Sequence, residues 1–573
     1  MVRTAQQACR PRPRSAGAAS RGSDRRRPLR LGRREPHRPL RGGAARHGGD
    51  RPLELLVWPA AAEKLGNGHH GRLPALYGVR LRWKHLAAHA GTFPVGIVGA
   101  VIGARPLTTA GLCGAEPVSA TAGVPAAAAL DGSALSVWWV LPFAGLLLSI
   151  ALLPQLSPRL WHRHFGKVAA VWSALFLVPF AAIHGVEPAL TAVLRTALLE
   201  YLPLVILLFA LFVISGGIRV RGNLIGTPAV NTGLLALGTV LASVTGTAGA
   251  AMLLVRPLIQ ANLKRRCNAH VLVSFIFLVA NIGGSLTPLG DPPLSLGFLR
   301  GIAFSWTLTH MIGPMLLCSL ALLAAFYALD RWTWARDGGP RRAGRRLQFG
   351  LKGRHNLVLL ATAVAAVLAS GVWRPGVALH LWHVAVPLQG LARDAALLAL
   401  AGLSWATTKR RVRIENAFTW DPILEIAYLF AGIFVTIMPA LAILEAGTSG
   451  ALAAIVTLVG GPAGRPSDAA YFWLSGLLSS VLDNAPTYLV FFSMAGADPQ
   501  ALMGPMARTL VAISAGSVFM GALTYVGNAP NFMVRAIAGE RGIRMPSFFG
   551  YLAWAAVVLL PLFALATAVF FET

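Results

Sequence analysis

The sequence predicts an all-α polytopic membrane protein of two inverted repeats, with about 10 transmembrane helices, two opposed re-entrant hairpins and two broken helices. Three observations predict this fold class. First, 55% of the 573 residues are hydrophobic and only 13% are charged, which a soluble domain of this size would not tolerate on its surface. Second, long apolar runs recur with basic residues clustered between them. Third, two blocks rich in Gly, Pro, Asn and Asp recur at one constant offset.

The N-terminal segment, residues 1–129, differs from the rest of the chain. Residues 1–90 hold 20 Lys and Arg against 5 Asp and Glu, and they show neither helical nor strand periodicity. We expect residues 1–129 to be disordered, a leader, or the product of a start assigned too far upstream. We do not expect them to bind nucleic acid.

Several apolar runs are long enough to cross a bilayer. A helix rises about 1.5 Å per residue, so that about 20 residues span the hydrocarbon core. The clearest runs are Ala134–Leu153, Thr191–Ile214, Thr307–Leu329, Pro422–Leu444 and Phe548–Phe571. Repeated spans of this kind predict an α-helical bundle in the bilayer.

Basic residues in short loops predict which side is cytoplasmic. The largest cluster falls between Arg331 and Arg354, so this loop is predicted to lie inside. A helix at about 355–372 leads outward, and one at about 393–407 returns to the basic cluster Lys409–Arg413. The resulting divisions are a first repeat over residues 130–330, a cytoplasmic loop with linking helices over 331–420, and a second, inverted repeat over 421–573.

Two apolar segments are predicted to enter and leave the membrane by the same side. The first, about Leu224–Ile259, lies between basic clusters that are both predicted to be inside. Its middle reads Thr245-Gly-Thr-Ala-Gly249, which favours a re-entrant hairpin with its tip at mid-membrane. The second, Tyr471–Ala495, is predicted to enter from outside because the loop after it lacks basic residues. The two hairpins are therefore predicted to point at each other.

The two halves align at one constant offset, the one that separates Asp291 from Asn528. Ala242-Ser-Val-Thr-Gly-Thr-Ala-Gly-Ala250 falls on Ser479-Ser-Val-Leu-Asp-Asn-Ala-Pro-Thr487. Gly284-Ser-Leu-Thr-Pro-Leu-Gly-Asp-Pro-Pro293 falls on Gly521-Ala-Leu-Thr-Tyr-Val-Gly-Asn-Ala-Pro530. Matching loops at equal spacing on opposite topologies are typical of inverted-repeat transporters, and their Gly/Pro-interrupted segments mark the binding site.

The prolines and glycines of these blocks predict broken helices, because Pro removes a backbone donor and Gly permits a sharp reversal. The breaks expose half-helix ends at which polar side chains can bind a small hard cation. The candidate cation- and substrate-binding residues are Thr245, Thr247, Asn281, Ser285, Thr287, Asp291, Asp483, Asn484, Thr487, Thr524 and Asn528. Asp291 and Asp483 are the candidate Na⁺ ligands or proton carriers, since a carboxylate at mid-membrane is by default functional. The alternative is a structural carboxylate that caps a half-helix.

The sequence holds no HExxH, GxSxG, Walker loop or Cys/His cluster, so we expect no enzymatic activity and no cofactor. Without a phosphate-binding loop, the energy for transport is expected to come from a gradient of Na⁺ or H⁺.

The blocks Asn281–Pro293, Ser480–Thr487 and Gly521–Asn531 resemble the ion transporter superfamily. Within it, the chain most resembles the bacterial citrate-transporter-like proteins that are commonly named sodium:proton antiporters. The resemblance covers about Leu130 to the C-terminus. It implies a scaffold of helices around a transport domain, a homodimer, elevator-type motion and a multi-pass location in the bacterial inner (cell) membrane.

Superfamily members exchange cations for protons or carry organic anions with sodium, so the fold does not choose between these functions. The residues favour sodium:proton antiport, because the candidate site has two aspartates and no basic residue. The alternative is a sodium- or proton-coupled citrate or dicarboxylate symporter, in which bound Na⁺ neutralises an aspartate and half-helix ends hold the carboxylate. Export of another anion, such as arsenite, and a membrane enzyme or scaffold are less favoured.

Overall fold

The structure is a computed structural model that describes residues 131–222, 224–337, 349–416, 418–459 and 467–572. The predicted leader, residues 1–129, lies outside the described residues, as does residue range 338–348 of the predicted cytoplasmic loop. The division of the chain into repeats therefore stays a prediction.

Helices form nearly all of the regular structure in the described residues, which confirms the all-α class. The α-helices found there are α1 (Leu141–Leu156), α2 (Pro158–His184), α3 (Val186–Thr196), α4 (Leu202–Gly216), α5 (Pro228–Thr245), α6 (Thr247–Asn262), α7 (Ala269–Leu278), α8 (Pro292–Leu299), α9 (Phe304–Arg336), α10 (His355–Val372), α11 (Leu388–Thr407), α12 (Arg410–Glu415), α13 (Asp421–Thr436), α14 (Met438–Glu445), α15 (Ala453–Val459), α16 (Asp468–Val481), α17 (Asn484–Met494), α18 (Pro499–Met503), α19 (Ala507–Phe519), α20 (Ala529–Glu540) and α21 (Phe548–Phe570). Strands in the same part of the chain form two antiparallel pairs, β1 (Arg219–Gly222) with β2 (Phe349–Lys352) and β3 (Ala378–Leu381) with β4 (Val384–Pro387).

Several of these helices are long and apolar enough to cross a membrane, which confirms a polytopic membrane protein. By length and composition, the described ranges contain seven such segments, or up to eight when a bent pair counts as one span. The seven are Val137–Pro154, Arg163–His184, Val186–Gly216, Pro228–Thr245, Phe304–Arg336, His355–Val372 and Phe548–Phe570. The total of about 10 spans, and the orientation of each, stay predictions.

The apolar run Pro422–Leu444 is a bent pair of helices. α13 and α14 meet at an angle of 44°. Pro439 lies in the first turn of α14, where its ring clashes with the preceding turn and its nitrogen donates no hydrogen bond. One proline therefore divides this run into two helical segments.

Each predicted hairpin is a pair of helices with a short break. α5 and α6 pack against each other and are separated at Gly246. The φ angle of Gly246 is +79°, in the left-handed region that favours glycine. α16 and α17 also pack against each other, with their break at Leu482 and Asp483. Both breaks fall at the predicted hairpin tips, whereas entry from opposite sides of a membrane stays a prediction.

The two predicted broken helices are interrupted within the repeated blocks. α7 is followed by a 3-10 turn (Ile282–Ser285) and then by α8, while α19 is followed by a 3-10 turn (Met520–Leu523) and then by α20. In both irregular stretches, a glycine packs directly against the backbone. A Cβ atom added at Gly290 would lie 2.1 Å from a backbone oxygen of the same stretch, and one at Gly527 would lie 2.7 Å from its counterpart.

The offset that relates the two halves of the sequence recurs in the helix starts. α6 begins at Thr247 and α17 at Asn484, while α8 begins at Pro292 and α20 at Ala529. Backbone reversals therefore occupy equivalent positions in the two halves. Their inverted arrangement in a membrane stays a prediction.

The second broken helix is buried, whereas an outer helix presents apolar side chains at the surface. Nearly all of α19 is buried. On α2, by contrast, Val171, Val178 and Ile183 are 58%, 68% and 68% exposed. Large exposed apolar surfaces mark contact with a membrane or a partner, and this face suits lipid.

The base of the first hairpin is fixed by a buried polar network. Asn231 and Asn262, at its two ends, form reciprocal amide hydrogen bonds of 3.0 and 2.8 Å. Asp330 of α9 accepts a hydrogen bond from Asn231 at 2.9 Å and forms an ion pair with Arg265 at 2.6 Å. His270 Nε2 lies 2.7 Å from the same carboxylate. The network joins α5, α6, α7 and α9.

Candidate functional site

Asp291 lies at the centre of the predicted site. It precedes α8 in an extended conformation and is 1% exposed. Its carboxylate accepts hydrogen bonds from Thr247 Oγ1 at 2.9 Å, from Asn528 Nδ2 at 3.3 Å, and from Asn484 Nδ2. All three donors are neutral. Within the part of the chain that the structure describes, the carboxylate is therefore stabilised by hydrogen bonds from neutral groups.

Four helices begin around this carboxylate. Thr247 and Asn484 are the first residues of α6 and α17, while Asp291 and Asn528 immediately precede α8 and α20. The four positions form two pairs, each separated by the offset that relates the two halves of the sequence. Helix N-termini carry partial positive charge, which favours negative charge at their meeting point. Both halves of the chain thus contribute equivalent positions to one site.

Neither predicted carboxylate has a basic partner among the described residues. No Lys, Arg or His nitrogen there lies within 4.0 Å of the Asp291 or Asp483 carboxylate. Asp483 is partly buried and caps α17, with its Oδ1 accepting from the Ala485 backbone nitrogen at 3.5 Å. The same part of the chain contains no group of three or more His, Cys, Asp and Glu residues that could hold a metal ion. A cation bound at Asp291 would instead meet carboxylate, amide and hydroxyl oxygens, which are ligands of hard cations.

One buried oxygen beside the Asp291 carboxylate has no hydrogen-bond partner in the described part of the chain. Asn484 is fully buried and donates to Asp291 through Nδ2, but its Oδ1 accepts no hydrogen bond from the described residues. A buried polar atom without a partner costs about 1–3 kcal/mol. The Asn484 Oδ1 atom is therefore available as a cation ligand.

Asparagine side chains join the two broken helices behind Asp291. Asn281 Nδ2 donates to Asn531 Oδ1 at 2.7 Å, and Asn528 Nδ2 donates to Asn281 Oδ1 at 3.3 Å. Asn531 Nδ2 donates in turn to the carbonyl oxygens of Gly521, at 2.9 Å, and Thr524, at 3.0 Å. This network holds the second broken helix against the first.

Asn531 is a member of this network that the sequence did not predict. It follows Pro530 in the first turn of α20. The equivalent position in the first half holds Leu294, so a comparison of the halves shows no polar pair there. The signal that could have found Asn531 is an amide side chain in the first turn after a predicted break.

Two predicted threonines anchor the irregular stretches. Thr287 Oγ1 donates to the Ser243 carbonyl, and Thr524 Oγ1 donates to the Ser480 carbonyl at 2.6 Å. Each hydroxyl also accepts from the backbone nitrogen two residues later, at 3.2 and 3.1 Å. Each threonine thus ties a broken helix to a hairpin tip at equivalent positions.

Three other predicted residues form local hydrogen bonds. Thr245, Ser285 and Thr487 donate to backbone carbonyls three or four residues earlier, at 3.0, 2.8 and 3.0 Å. Such bonds are common for Ser and Thr in helices. These contacts do not bring their hydroxyls to Asp291, and their role as ligands stays a prediction.

Residues 132–571 match the family described as "Putative citrate transport". The chain belongs to this citrate transport family. An uncharacterized transporter of Mycobacterium bovis and one of Mycobacterium tuberculosis are each 27% identical to the chain over 303 residues, which cover 50% of this chain and 63% of theirs. A 46 kDa membrane protein of Mycobacterium leprae is 24% identical over 282 residues, 48% of this chain and 61% of its own length. The chain thus spans about three fifths of the curated relatives it matches.

Membership of the citrate transport family confirms the resemblance carried by the three blocks. The family and the names of these relatives indicate a multi-pass membrane transporter rather than an enzyme. The matched residues include every predicted site residue and Asn531.

Proposed function

We propose that this chain is a secondary active transporter of the bacterial inner (cell) membrane that exchanges sodium for protons at Asp291. The observation that carries the proposal is the environment of this carboxylate, which is buried where equivalent segments of the two halves meet. Among the described residues, it receives hydrogen bonds from neutral groups only. Sodium and protons are the transported ions.

A buried carboxylate without a basic partner needs a bound cation. The helix N-termini and the neutral hydrogen-bond donors stabilise the carboxylate but leave its full negative charge in a low-dielectric interior, where either a proton or a sodium ion would neutralise it. The two ions compete for the same oxygens, so that one leaves when the other binds. Asn484 Oδ1, which lacks a hydrogen-bond partner among the described residues, would join the carboxylate in holding Na⁺. Asp483 is the second candidate ligand, since it directly precedes Asn484.

Exchange requires that the site face the two sides of the membrane in turn. Asp291 contacts residues from both hairpins and from the other broken helix, so a movement of these elements as a group would carry the site with them. The elevator-type motion and the homodimer implied by the resemblance belong to this proposal.

Uptake of citrate or a dicarboxylate with sodium or protons is the second candidate. The family description favours it, and so do the four helix N-termini, because helix N-termini bind anions. In this scheme a cation first neutralises Asp291, after which the helix ends hold the carboxylate of the substrate.

A proteoliposome experiment separates the two candidates. The full chain is reconstituted with a pH-sensitive dye inside the vesicles, a pH gradient is imposed, and sodium, then lithium and potassium, are added outside. The variants are Asp291→Asn and Asp483→Asn, with Asp498→Asn as the control, because Asp498 is an acidic helix cap at an exposed position. Labelled citrate is tested in parallel on a sodium gradient.

We expect sodium to collapse the pH gradient in the wild type and in Asp498→Asn, and to have no effect in Asp291→Asn. Asp483→Asn should keep exchange with a weaker response to sodium, because its carboxylate caps α17 at the edge of the site. Normal exchange in Asp291→Asn would show that Asp291 does not carry the transported ions. Accumulation of citrate without any effect of sodium on the pH gradient would establish the second candidate.

A further inference from the structure

Two of the helices that begin at the site run side by side in the same direction. These are α8 and α17, and their contacts follow the same order along both helices. From the N-terminal to the C-terminal ends, the contacts are Asp291 with Asn484, Gly297 with Tyr488, and Arg300 with Ser493. The spacing of the two helices therefore determines how Asn484 meets Asp291.

An ion-pair cluster lies at the C-terminal ends of these helices. Arg300 Nη2 donates to both carboxylate oxygens of Glu200, at 3.1 and 3.3 Å, and Arg300 Nη1 lies 3.7 Å from Glu445 Oε1. Ser493 of α17 donates to the same Glu445 oxygen at 3.0 Å and lies 3.5 Å from Arg300. The guanidinium also lies over the Phe492 ring of α17, 5.8 Å from its centroid.

The partners of Arg300 belong to different parts of the bundle. Glu200 lies in a π-helical turn (Ala197–Tyr201) before α4, and Glu445 ends α14. Arg300 itself directly follows α8. One side chain thus connects α8 with α17, with α14 and with the turn that leads into α4.

Halfway along, the two helices are in close contact. A Cβ atom added at Gly297 would lie 2.4 Å from the Tyr488 hydroxyl oxygen and 3.2 Å from its Cζ. Tyr488 is itself 1% exposed. No larger side chain fits at position 297 unless α8 and α17 move apart or Tyr488 shifts.

We propose that Arg300 is a positioning residue, which holds α8 against α17 and so keeps Asn484 in contact with Asp291. The proposal rests on the proposed function, in that Asp291 is taken as the cation site. α8 has only eight residues, about 12 Å at 1.5 Å per residue. A helix this short moves as a unit, so displacement of its Arg300 end displaces its Asp291 end. Displacements of about 1 Å at a reacting or binding group can change function by about 100-fold.

The first test compares substitutions at Arg300 in proteoliposomes. The sodium concentration that gives half of the maximal rate of proton movement is measured for Arg300→Gln, for Arg300→Lys, and for Arg374→Gln, which changes an exposed arginine. We expect Arg300→Gln to raise this concentration by about 10-fold or more, with a smaller effect on the maximal rate. Arg300→Lys should raise it less, because an ammonium group keeps the charge but cannot place separate nitrogens at Glu200 and at Glu445. An unchanged half-saturating concentration in Arg300→Gln would overturn the proposal.

The second test perturbs the same spacing without removing a charge. Gly297→Ala pushes α8 and α17 apart, and Tyr488→Phe removes the oxygen that the new methyl group would meet first. We expect Gly297→Ala to raise the half-saturating sodium concentration, and Gly297→Ala/Tyr488→Phe to bring it back toward that of Tyr488→Phe alone. A double variant as impaired as Gly297→Ala would contradict the positioning role. If Arg300→Gln does not fold, this pair of variants still tests whether the spacing of α8 and α17 determines the half-saturating sodium concentration.

The two proposals fail in different ways. A wild-type chain that shows no sodium-dependent proton movement would refute the proposed function, and the positioning role with it. An active wild type with unchanged half-saturation in Arg300→Gln and Gly297→Ala would refute the positioning role alone.

Discussion

Replacing Asn531 with leucine tests the amide network that joins the broken helices. Leucine is the residue that the first half places at the equivalent position, Leu294, and its side chain has the same number and branching of heavy atoms as that of asparagine. The substitution removes the acceptor of the 2.7 Å hydrogen bond from Asn281 and the donor of the bonds to the Gly521 and Thr524 carbonyls.

The expected loss of stability follows from the buried polar groups that lose their hydrogen-bond partners. Asn531 and Asn281 are both fully buried, so the abandoned donor and two acceptors have no access to bulk water. Each buried polar group without a partner costs about 1–3 kcal/mol. Partial relaxation would reduce the sum of the three groups toward its lower end, and we therefore expect a loss of about 3 kcal/mol in stability. Because Asn281 also accepts from Asn528, which contacts Asp291, the half-saturating sodium concentration should rise as well.

The assay is thermal unfolding of the purified full chain in detergent, followed by transport in proteoliposomes. Asn268→Leu is the matched control, since Asn268 is partly buried and donates one hydrogen bond, of 3.4 Å, to the Asn262 carbonyl. Asn531→Leu should melt well below both the wild type and the control. If Asn531→Leu melts with the control and keeps wild-type sodium dependence, the network does not hold the site together.

Two further predictions concern stability. Asp330→Asn removes the carboxylate that lies 2.6 Å from buried Arg265 and leaves it with the more distant Asp337, at 4.0 Å. Removal of one partner of a buried pair costs about 3–5 kcal/mol, so the melting temperature of this variant should fall. Arg411→Gln, at an 80% exposed arginine, should melt like the wild type. Gly290→Ala places a methyl group 2.1 Å from a backbone oxygen and should lower the yield of folded protein by size-exclusion chromatography, whereas Gly539→Ala, which meets no atom within 4 Å, should not. Equal yields from the two alanine variants would show that the stretch before α8 can open without cost.

The backbone interruptions could be predicted from the sequence because glycine and proline act locally. Gly246 permits a positive φ angle at one hairpin tip, and Pro293 and Pro530 lie in the first turns of α8 and α20. Each effect depends on neighbouring residues, so the constant offset between the two halves of the sequence reappears in the helix starts. Asp291 and Asp483 could both be named as candidates from the sequence, since a carboxylate in an apolar block is by default functional, but the sequence did not show that Asp291 lies at the centre and Asp483 at the edge.

Long-range polar contacts could not be predicted in this way. Arg300 meets Glu200 and Glu445, which lie in distant parts of the sequence and in no recognisable motif. The partners of hydroxyl groups could not be predicted either, even where two hydroxyl groups are close in the sequence. Thr245 and Thr247 are two residues apart, yet Thr247 donates to Asp291 while Thr245 donates to the backbone of its own helix. The helix break between them decides which way each side chain points, and composition does not contain that information.

The pairing of Asp291 with Asn528 has an electrical consequence. These equivalent positions lie in contact, at 3.3 Å, and the asparagine gives the junction one negative charge where a second aspartate would give two. Either one sodium ion or one proton neutralises the carboxylate of Asp291. Moving one elementary charge across a membrane involves about 2.3 kcal/mol per 100 mV, but a neutral loaded carrier avoids this work. One-for-one exchange at Asp291 would therefore be electroneutral, driven by concentration gradients and indifferent to the membrane potential.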